Sequence, residues 1–484
     1  MNEEIRKLEP KSLWNYFADL SEIPRPSKRE GKAVEFIKNF GKRLGLETIV
    51  DDAGNVIIRK PATPGMEDRT PVILQGHLDM VPQKNSDVDH DFDKDPIKMK
   101  LEGDWVTAEG TTLGADNGIG VAAIMAILAS KDIEHPPLEA LFTIDEETGM
   151  TGAQMLKPGL LKGKILLNLD SEDDDEMTIG CAGGIDILVD SVYVEDNVEE
   201  DEIAFQVTVS GLSGGHSGMD IHLYRGNANK IMNRLLWNFN KDYHIGINYV
   251  DGGGLRNAIP RESKAVITVK KDKADDVEKM FRKMREEIYN EYRTTDPDIN
   301  LDLLLVDVPE FVMRGTEVNT LLNAVYACWN GVYRMSPDVE GLTQTSNNLA
   351  KVLVKEGDIR IENLTRSSIE SEKMDLANTI ESAFDLAGYN VKLEGGYPGW
   401  KPDVKASINK IMKDIYYNNF GEVPKITACH AGLECGLIKE KYPDTDMISF
   451  GPNIRNPHSP DEKVQVSSVK KFWKLLIDTL KNIK

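Results

Sequence analysis

The chain has 484 residues, which at roughly 150 residues per domain is enough for two or three folding units. Hydrophobic residues make up 40% and charged residues 29% of it, as in ordinary globular proteins, and no segment approaches the ~18 apolar residues of a membrane span. The formal net charge of −22 repels nucleic acid and anionic membranes, so the composition argues against both as partners.

The first residues, MNEEIRKLEPKSLW, are charged and contain no apolar segment. Neither a secretory signal nor an arginine-rich transit peptide is predicted, and we expect a cytoplasmic protein. The four cysteines are scattered along the chain, which is not the pattern of a disulfide framework or of a cysteine-rich zinc site. In that compartment they are expected to be reduced thiols.

Residues 1–184 are predicted to form the first segment of an α/β domain. Apolar residues recur at helical spacing in RPSKREGKAVEFIKNFGKRLGL and indicate an amphipathic helix. A hairpin is predicted at ETIVDDAGNVIIRK, and buried strands are predicted at PVILQGHLDM, LEALFTIDEE and KILLNLDSE. Between the first two of these strands, the small and apolar residues of DNGIGVAAIMAILAS suit a buried helix. Strands that alternate with helices imply a mixed, largely parallel sheet.

Residues 185–396 follow the glycine-rich GCAGG and are predicted to form an inserted α+β domain. Strands (AFQVTVSGL, KAVITVK, NLDLLLVDV, DIRIENL, NVKLEGG) and four long amphipathic helices follow in the approximate order β-α-β-β-α-β, stated twice, which predicts two similar halves. Residues 397–484 resume helix and strand. If this tail rejoins the first sheet, the first domain is discontinuous.

Polar clusters follow the predicted buried strands: GHLD after PVILQ, DEE after LEALFTI, and NLDSED after KILL. In open α/β sheets ligands bind outside the carboxyl ends of the strands, so these clusters are expected to converge. His77 and Asp79 lie two apart on an extended chain and point to the same side, where a carboxylate can orient a metal-ligating imidazole. Glu146 and Glu147 are adjacent and project in different directions, so one can bind metal while the other acts as general base. The pattern predicts a metal-dependent hydrolase.

Each acidic residue also has a structural interpretation. Asp116 in LGADNGIG begins a predicted helix, where a carboxylate is favoured as a cap. The run at 145–149 could be a solvated helix start. An imidazole and several carboxylates at the strand ends of one sheet favour the metal site over these interpretations.

The motifs GHLDMVP, GADNGIG, IDEETGMTGA and LNLDSEDDDEMTIGCAGG resemble those of the metallopeptidase family that holds aminoacylase, carboxypeptidase G and carnosinase. HDFDKDPIK, GGHSGMDIH, GLRNAIPRE and CHAGLECG are similar to its aminoacyl-histidine dipeptidase branch, also called peptidase D. The resemblance covers essentially the whole chain. It implies a zinc-exopeptidase-like catalytic domain in two segments, 1–184 and 397–484, with residues 185–396 as a lid.

The resemblance also implies a metal centre of two zinc ions per chain, with manganese or cobalt as alternatives. One zinc would be bound by His77 and Asp170, and the other by Glu147 and His458. Asp116 would bridge the two ions, and the peptide bond after it is expected to be cis. Because His458 lies far along the chain, this ligand set requires the tail to return to the first domain.

The mechanism implied is hydrolysis by a water that the metals activate and that Glu146 deprotonates before it returns the proton to the leaving amine. Asp79 would orient His77. His216 in SGGHSGMD is the family's candidate donor to the tetrahedral oxyanion, and it belongs to the lid, which would have to close.

For substrate binding, the resemblance points to Asn257 and Arg366 on the lid and to the backbone of Gly432 on the catalytic domain. Arg366 would grip the C-terminal carboxylate of the substrate, with a surface salt bridge as the alternative. Asn257 could equally be a turn residue. Asp173, in the acidic run after Asp170, is either a solvated turn residue or a partner for the substrate's ammonium group.

Three functions are compatible with these observations. The first is a dipeptidase whose substrates include Xaa-His dipeptides such as carnosine. The second is a tripeptidase or N-acyl amino acid deacylase of the same family. The lid disfavours this alternative, because its roughly 210 residues are more than the about 100 that a single ferredoxin-like unit requires. The third is an inactive metal-binding homologue, which the presence of Glu146 and Asp79 disfavours. A doubled lid predicts an active site complete in one chain, with a homodimer still possible.

Overall fold

The computed structural model describes residues 2–484. Its α-helices are Lys11–Ser21 (α1), Gly31–Arg43 (α2), Ala115–Ala129 (α3), Glu146–Gly149 (α4), Thr151–Met155 (α5), Ala228–Tyr243 (α6), Ala274–Tyr292 (α7), Gly315–Ala327 (α8), Glu370–Leu386 (α9), Ser407–Phe420 (α10), Glu434–Lys441 (α11) and Val466–Asn482 (α12). Within the described part of the chain, none of the helices combines the length and the apolar character that crossing a membrane requires.

The strands are Glu47–Val50 (β1), Val56–Lys60 (β2), Val72–His77 (β3), Met99–Glu102 (β4), Trp105–Ala108 (β5), Leu138–Thr143 (β6), Ile165–Asn168 (β7), Glu176–Cys181 (β8), Gly183–Val192 (β9), Asp196–Asn197 (β10), Glu202–Ser210 (β11), Gly246–Gly253 (β12), Ser263–Lys270 (β13), Asn300–Val306 (β14), Phe311–Val312 (β15), Gly331–Met335 (β16), Thr343–Lys355 (β17), Asp358–Ser367 (β18), Asn390–Tyr397 (β19), Lys425–Cys429 (β20), Asp446–Ser449 (β21), Ile454–Arg455 (β22) and Lys463–Gln465 (β23).

The chain divides into two compact units. The first unit contains the residues up to Gly180 together with Trp400–Ala428 and Leu433–Lys484, and the second contains Cys181–Gly399 and Cys429–Gly432. The first unit is therefore discontinuous. Gly432, which the sequence analysis assigned to the first domain, lies instead in the short segment that groups with the second unit.

An eight-stranded mixed sheet organises the first unit, in the order β1-β2-β6-β3-β7-β21-β8-β20. The neighbouring pairs β6-β3, β3-β7 and β7-β21 are parallel, whereas β1-β2 and β2-β6 are antiparallel. Every residue of β3 and β6 is buried, which explains why both strands are nearly continuous apolar runs. Helix α3, made of small and apolar residues, packs against β3 and α1. The predicted α/β fold with a mixed sheet is confirmed.

The second unit is built on one antiparallel sheet in the order β14-β11-β13-β12-β17-β18-β9-β19. Its first half, β11-α6-β12-β13-α7-β14, is continuous in sequence. The second half takes β9 as its first strand and continues as α8-β17-β18-α9-β19. The first half is therefore inserted into the second half, directly after β9 and the short β10. The sequence analysis missed β9 and β17. Glycines or polar residues weaken the alternation in both strands.

Candidate metal centre

Three parallel strands of the first unit end at one edge of the sheet. β3 ends at His77, β6 is followed by the turn with Glu146 and Glu147, and β7 is followed by Asp170. Because the strands run in the same direction, the polar residues after each of them meet at this edge. The convergence expected from the sequence is therefore present.

Asp116 reaches the same edge from the turn that precedes the regular part of α3. Asp116 and Asn117 have non-helical backbone angles, and the peptide bond between them is cis. One carboxylate oxygen of Asp116, Oδ1, lies 3.1 Å from Nε2 of His77, and the other, Oδ2, lies 3.3 Å from Nε2 of His458. This carboxylate faces two separate imidazoles rather than capping the helix.

All five residues predicted as ligands form two groups that share Asp116. The first group is His77, Asp116 and Asp170, and the second is Asp116, Glu147 and His458, with the candidate ligand atoms of each group within 4.8 Å of one another. Nε2 of His77 lies 3.4 Å from Oδ1 of Asp170, and Nε2 of His458 lies 2.8 Å from Oε2 of Glu147.

The chemistry of these groups fits divalent metal ions. Imidazole and carboxylate donors are ligands that suit zinc. Oε1 of Glu147 and Oδ1 of Asp170 are buried without a hydrogen-bond partner, as expected of oxygens whose natural partner is a cation.

A third acidic group, Glu30, Asp79 and Asp145, lies nearby but differs in this respect. Its carboxylates accept hydrogen bonds from the backbone or hydroxyl groups around them; Thr148 and Thr151 both donate to Asp145. These bonds account for the third group without a metal.

The carboxylates of the two candidate ligand groups raise the pKa of both histidines. Burial opposes protonation of His77, but the carboxylates of Asp170, Asp116 and Asp79 outweigh it and hold the pKa of this imidazole well above its usual value. Hydrogen bonds to Asp116 and Glu147 raise the pKa of His458 to about 11. Both shifts reflect a concentration of negative charge around the two imidazoles, which favours a bound cation.

Glu146 does not belong to either ligand group. Burial, with the nearby carboxylates of Asp170 and Glu434, raises the pKa of Glu146 well above its usual value. Its backbone N–H donates to Oδ1 of Asp79 at 3.0 Å, and that of Glu147 donates to Oδ2 at 3.2 Å. The adjacent glutamates therefore differ in position: Glu147 belongs to the candidate ligand group with Asp116 and His458, and Glu146 belongs to neither group.

The second unit gathers the residues predicted for substrate binding. The buried Arg366 donates from Nη1 to the hydroxyl of Tyr397 at 2.8 Å, and its Nε lies 3.4 Å from Oγ of Ser217. Nδ1 of His216 accepts the backbone N–H groups of Gly218 and Met219. Burial and the charge of Arg366 lower the pKa of His216. Because Nδ1 accepts two hydrogen bonds, the proton of the neutral imidazole lies on Nε2.

Asn257 and Gly432 lie in the same unit. The backbone carbonyl of Asn257 accepts the N–H of Ser217 at 2.8 Å, and the Asn257 side chain is exposed. Gly432 is half-buried and follows His430, whose carbonyl approaches Gly218 so closely that a Cβ on that glycine would collide with it. Asp173, by contrast, forms an ion pair with Arg455 at 2.6 Å, which gives it a structural role in the acidic run.

Four further buried residues lie around these sites; the sequence left His430 and Glu434 without an assigned role and did not indicate Arg25 or Glu462. They are Arg25 and Glu462, which bind the backbone of the Asp116 turn, Glu434, which accepts from Gln75 and Thr143, and His430, which pairs with Ser346. Glu462 stands four residues after His458, and Glu434 and His430 stand in CHAGLECG. The local sequence pattern does not distinguish these buried residues from polar residues on the solvent-exposed surface.

Comparison with known proteins gives three findings. The model of peptidase family M20/M25/M40 matches residues 73–482. The chain is 42% identical over 480 residues, 99% of each sequence, to the cytosol non-specific dipeptidase of Escherichia coli. The crystal structure of aminoacylhistidine dipeptidase from Vibrio alginolyticus matches with 45% identity and a TM-score of 0.96, over 100% of this chain and 99% of that one. The fold also extends to an aminopeptidase PepT from Bacillus cereus, with 16% identity, a TM-score of 0.57, and 98% and 99% of the two chains covered.

Proposed function

Since the chain belongs to peptidase family M20/M25/M40, we propose that it is a two-metal dipeptidase whose substrates include Xaa-His dipeptides such as carnosine. The observation that carries the proposal is the position of Asp116, with one carboxylate oxygen facing each of two imidazoles. The two relatives that match over nearly their whole length, one a non-specific dipeptidase and one an aminoacylhistidine dipeptidase, support the substrate class.

Two zinc ions are proposed for the two ligand groups, with manganese or cobalt as alternatives that the same donors accept. The first ion would be held by His77 and Asp170, the second by Glu147 and His458, with Asp116 shared. Bound there, the ions would lower the pKa of a water molecule and polarise the scissile carbonyl.

Glu146 is proposed as the general base that takes the proton of the attacking water and then gives it to the leaving amine. A carboxylate suited to both transfers needs a pKa above the usual value, and burial among other carboxylates provides that for Glu146. Asp79 is proposed to orient His77 and the turn that carries Glu146, because its carboxylate lies against Nδ1 of His77 and accepts the backbone N–H groups of Glu146 and Glu147.

Arg366 is proposed to bind the C-terminal carboxylate of the substrate. It is held by Ser217 and Tyr397 with no acidic residue among its hydrogen-bond acceptors in the described chain, so its charge is available for an anion. Nε2–H of His216 is proposed as the donor to the oxyanion, since Nδ1 is occupied as an acceptor. Asn257 and the backbone of Gly432 are proposed as further substrate contacts.

We also propose that the enzyme acts in the cytoplasm, which the name of the Escherichia coli relative supports. The active site is proposed to be complete in one chain, whether or not a homodimer forms. The division into a catalytic domain and a lid, with boundaries close to 184 and 396, is likewise proposed. The boundaries between the two compact units, after Gly180 and after Gly399, support it.

The experiment is to strip purified protein with a chelator, restore zinc, manganese or cobalt singly, and assay dipeptides, tripeptides and N-acyl amino acids. Chelation should abolish hydrolysis, and restored metal should return it for dipeptides, carnosine included. Preference for tripeptides or N-acyl amino acids would identify the alternative activities of the family. Metal binding without hydrolysis of any substrate would leave the inactive homologue.

A further inference from the structure

A buried carboxylate binds the turn that carries Asp116. Glu462 is 2% exposed, and its Oε2 accepts the backbone N–H groups of Leu113 and Gly114 at 2.7 and 2.8 Å. Its Oε1 accepts those of Ala115 and Asp116 at 2.8 and 3.2 Å. Four consecutive N–H groups thus share one carboxylate, so this side chain constrains the orientation of the backbone up to Asp116.

Arg25 binds a carbonyl group of the same turn, whereas Glu462 binds its N–H groups. Its guanidinium is buried and donates from Nη1 to the carbonyls of Leu78 and Asp79 at 3.1 and 3.0 Å, and from Nη2 to the carbonyl of Gly114 at 2.5 Å. Gly114 has a φ of 68°, and a Cβ there would lie 2.5 Å from Nη2 of Arg25. Arg25 therefore ties the turn to the chain that continues from His77.

Glu462 and His458 belong to one connection. Both lie between β22 and β23, which pair antiparallel through Ile454 with Val464 and Arg455 with Lys463. The connection that delivers His458 as a ligand also delivers the carboxylate that holds Asp116. A residue that only capped the Asp116 turn would not need to share a connection with His458.

We propose that Glu462, with Arg25, is a positioning residue that holds Asp116 in the bridging orientation and joins its turn to the His458 connection. The inference rests on the proposed function, because it takes the two ligand groups to be a two-metal centre. Loss of the Glu462 carboxylate would loosen both Asp116 and His458, so the group formed by Asp116, Glu147 and His458 is affected at two of its three ligands.

The test is the affinity of each zinc site in Glu462→Gln, measured on metal-stripped full-length protein by competition with a chromophoric chelator. An amide has one acceptor oxygen where the carboxylate has two, and its NH₂ would face backbone N–H groups. We expect both ions to bind more weakly, because Asp116 belongs to both ligand groups, and the ion at Asp116, Glu147 and His458 to lose most, about 10- to 100-fold, the loss typical when groups that orient ligands are removed.

Glu139→Gln is the matched control. Glu139 is also buried, at 5% exposure, and accepts the backbone N–H groups of Lys162 and Gly163 at 2.6 and 2.8 Å, but it lies at the amino end of β6. This variant should lose stability and keep both zinc affinities. Arg25 contacts the turn independently of Glu462, so Arg25→Lys should also weaken zinc binding through Asp116, which keeps the inference testable if Glu462→Gln does not fold.

The outcomes separate the two proposals. Wild-type protein that takes up fewer than two ions contradicts the metal centre, and the inference with it. If the wild type binds two ions, then Glu462→Gln with both affinities unchanged overturns the positioning role alone. Equal weakening in Glu139→Gln would also overturn it, because the effect would then be a general loss of stability.

Discussion

Nδ1 of His77 lies 3.4 Å from Oδ1 of Asp79, and both side chains are buried beneath the candidate metal centre. The same carboxylate accepts the backbone N–H groups of Glu146 and Glu147 and the hydroxyl of Ser27. One aspartate thus contacts His77 of one candidate ligand group and the turn that carries Glu147 of the other. Burial opposes its ionisation, but hydrogen bonds to His77 and to these donors lower the pKa of Asp79 to about 2.

Asp79→Asn should weaken zinc binding about 10- to 100-fold and reduce kcat, because an amide cannot accept from all of these donors and supplies no charge to His77. Zinc competition and steady-state kinetics measure both effects. Ser27→Ala, which removes only the hydroxyl donor, is the control and should change zinc affinity little. Wild-type zinc affinity in Asp79→Asn would contradict the orienting role.

Glu146→Gln should retain both metal ions and lose hydrolysis by at least about 100-fold, since the amide cannot accept the proton of water. Metal content and turnover are measured on the same preparation. The neighbouring variant Glu147→Gln should show the opposite order of effects, with weakened metal binding, because Glu147 stands in the ligand group with His458. Wild-type turnover in Glu146→Gln would remove it as the base.

Arg366→Ala should raise KM for free dipeptides and matter less for dipeptides amidated at the C-terminus, because the guanidinium is expected to bind the carboxylate. Arg360→Ala is the control on the same strand, since Arg360 is 60% exposed and pairs with Asp190. It should leave KM unchanged for both substrates. If Arg366→Ala affects free and amidated dipeptides equally, Arg366 does not have the carboxylate role.

Because His430 is buried, we expect the second unit to lose stability at acidic pH. Burial, and then the charge of Arg366, lower its pKa to about 3, so the folded state keeps the ring neutral while the unfolded chain protonates it below about 6.5. The unfolded state binds more protons in this window, and the free energy of unfolding therefore falls as the pH is lowered towards 3, by up to about 1.4 kcal/mol per pH unit.

His430→Gln should remove that part of the pH dependence, which urea unfolding of the wild type and the variant at pH 7 and pH 5 measures. The exposed His244 of the same unit supplies the control variant, His244→Gln, which should retain the wild-type dependence. An unchanged slope in His430→Gln would show that the ring is not held neutral.

Much of the candidate metal centre follows from the sequence. Apolar strands of four to six residues place His77, Glu147 and Asp170 at or shortly after their carboxyl ends, and parallel strands bring these ends together whatever the rest of the chain does. The motifs add His458, and the matching family model and relatives confirm the resemblance from which it came.

The tertiary structure alone decided three further points. It showed that the two halves of the second unit are nested, because strand pairing joins residues that local periodicity cannot connect. It divided the chain so that Gly432 groups with that unit. It also showed that Arg25 and Glu462 meet at the Asp116 turn, although they are far apart in sequence. Their charges resemble solvated ones in sequence, and only burial against backbone groups of the opposite polarity distinguishes them.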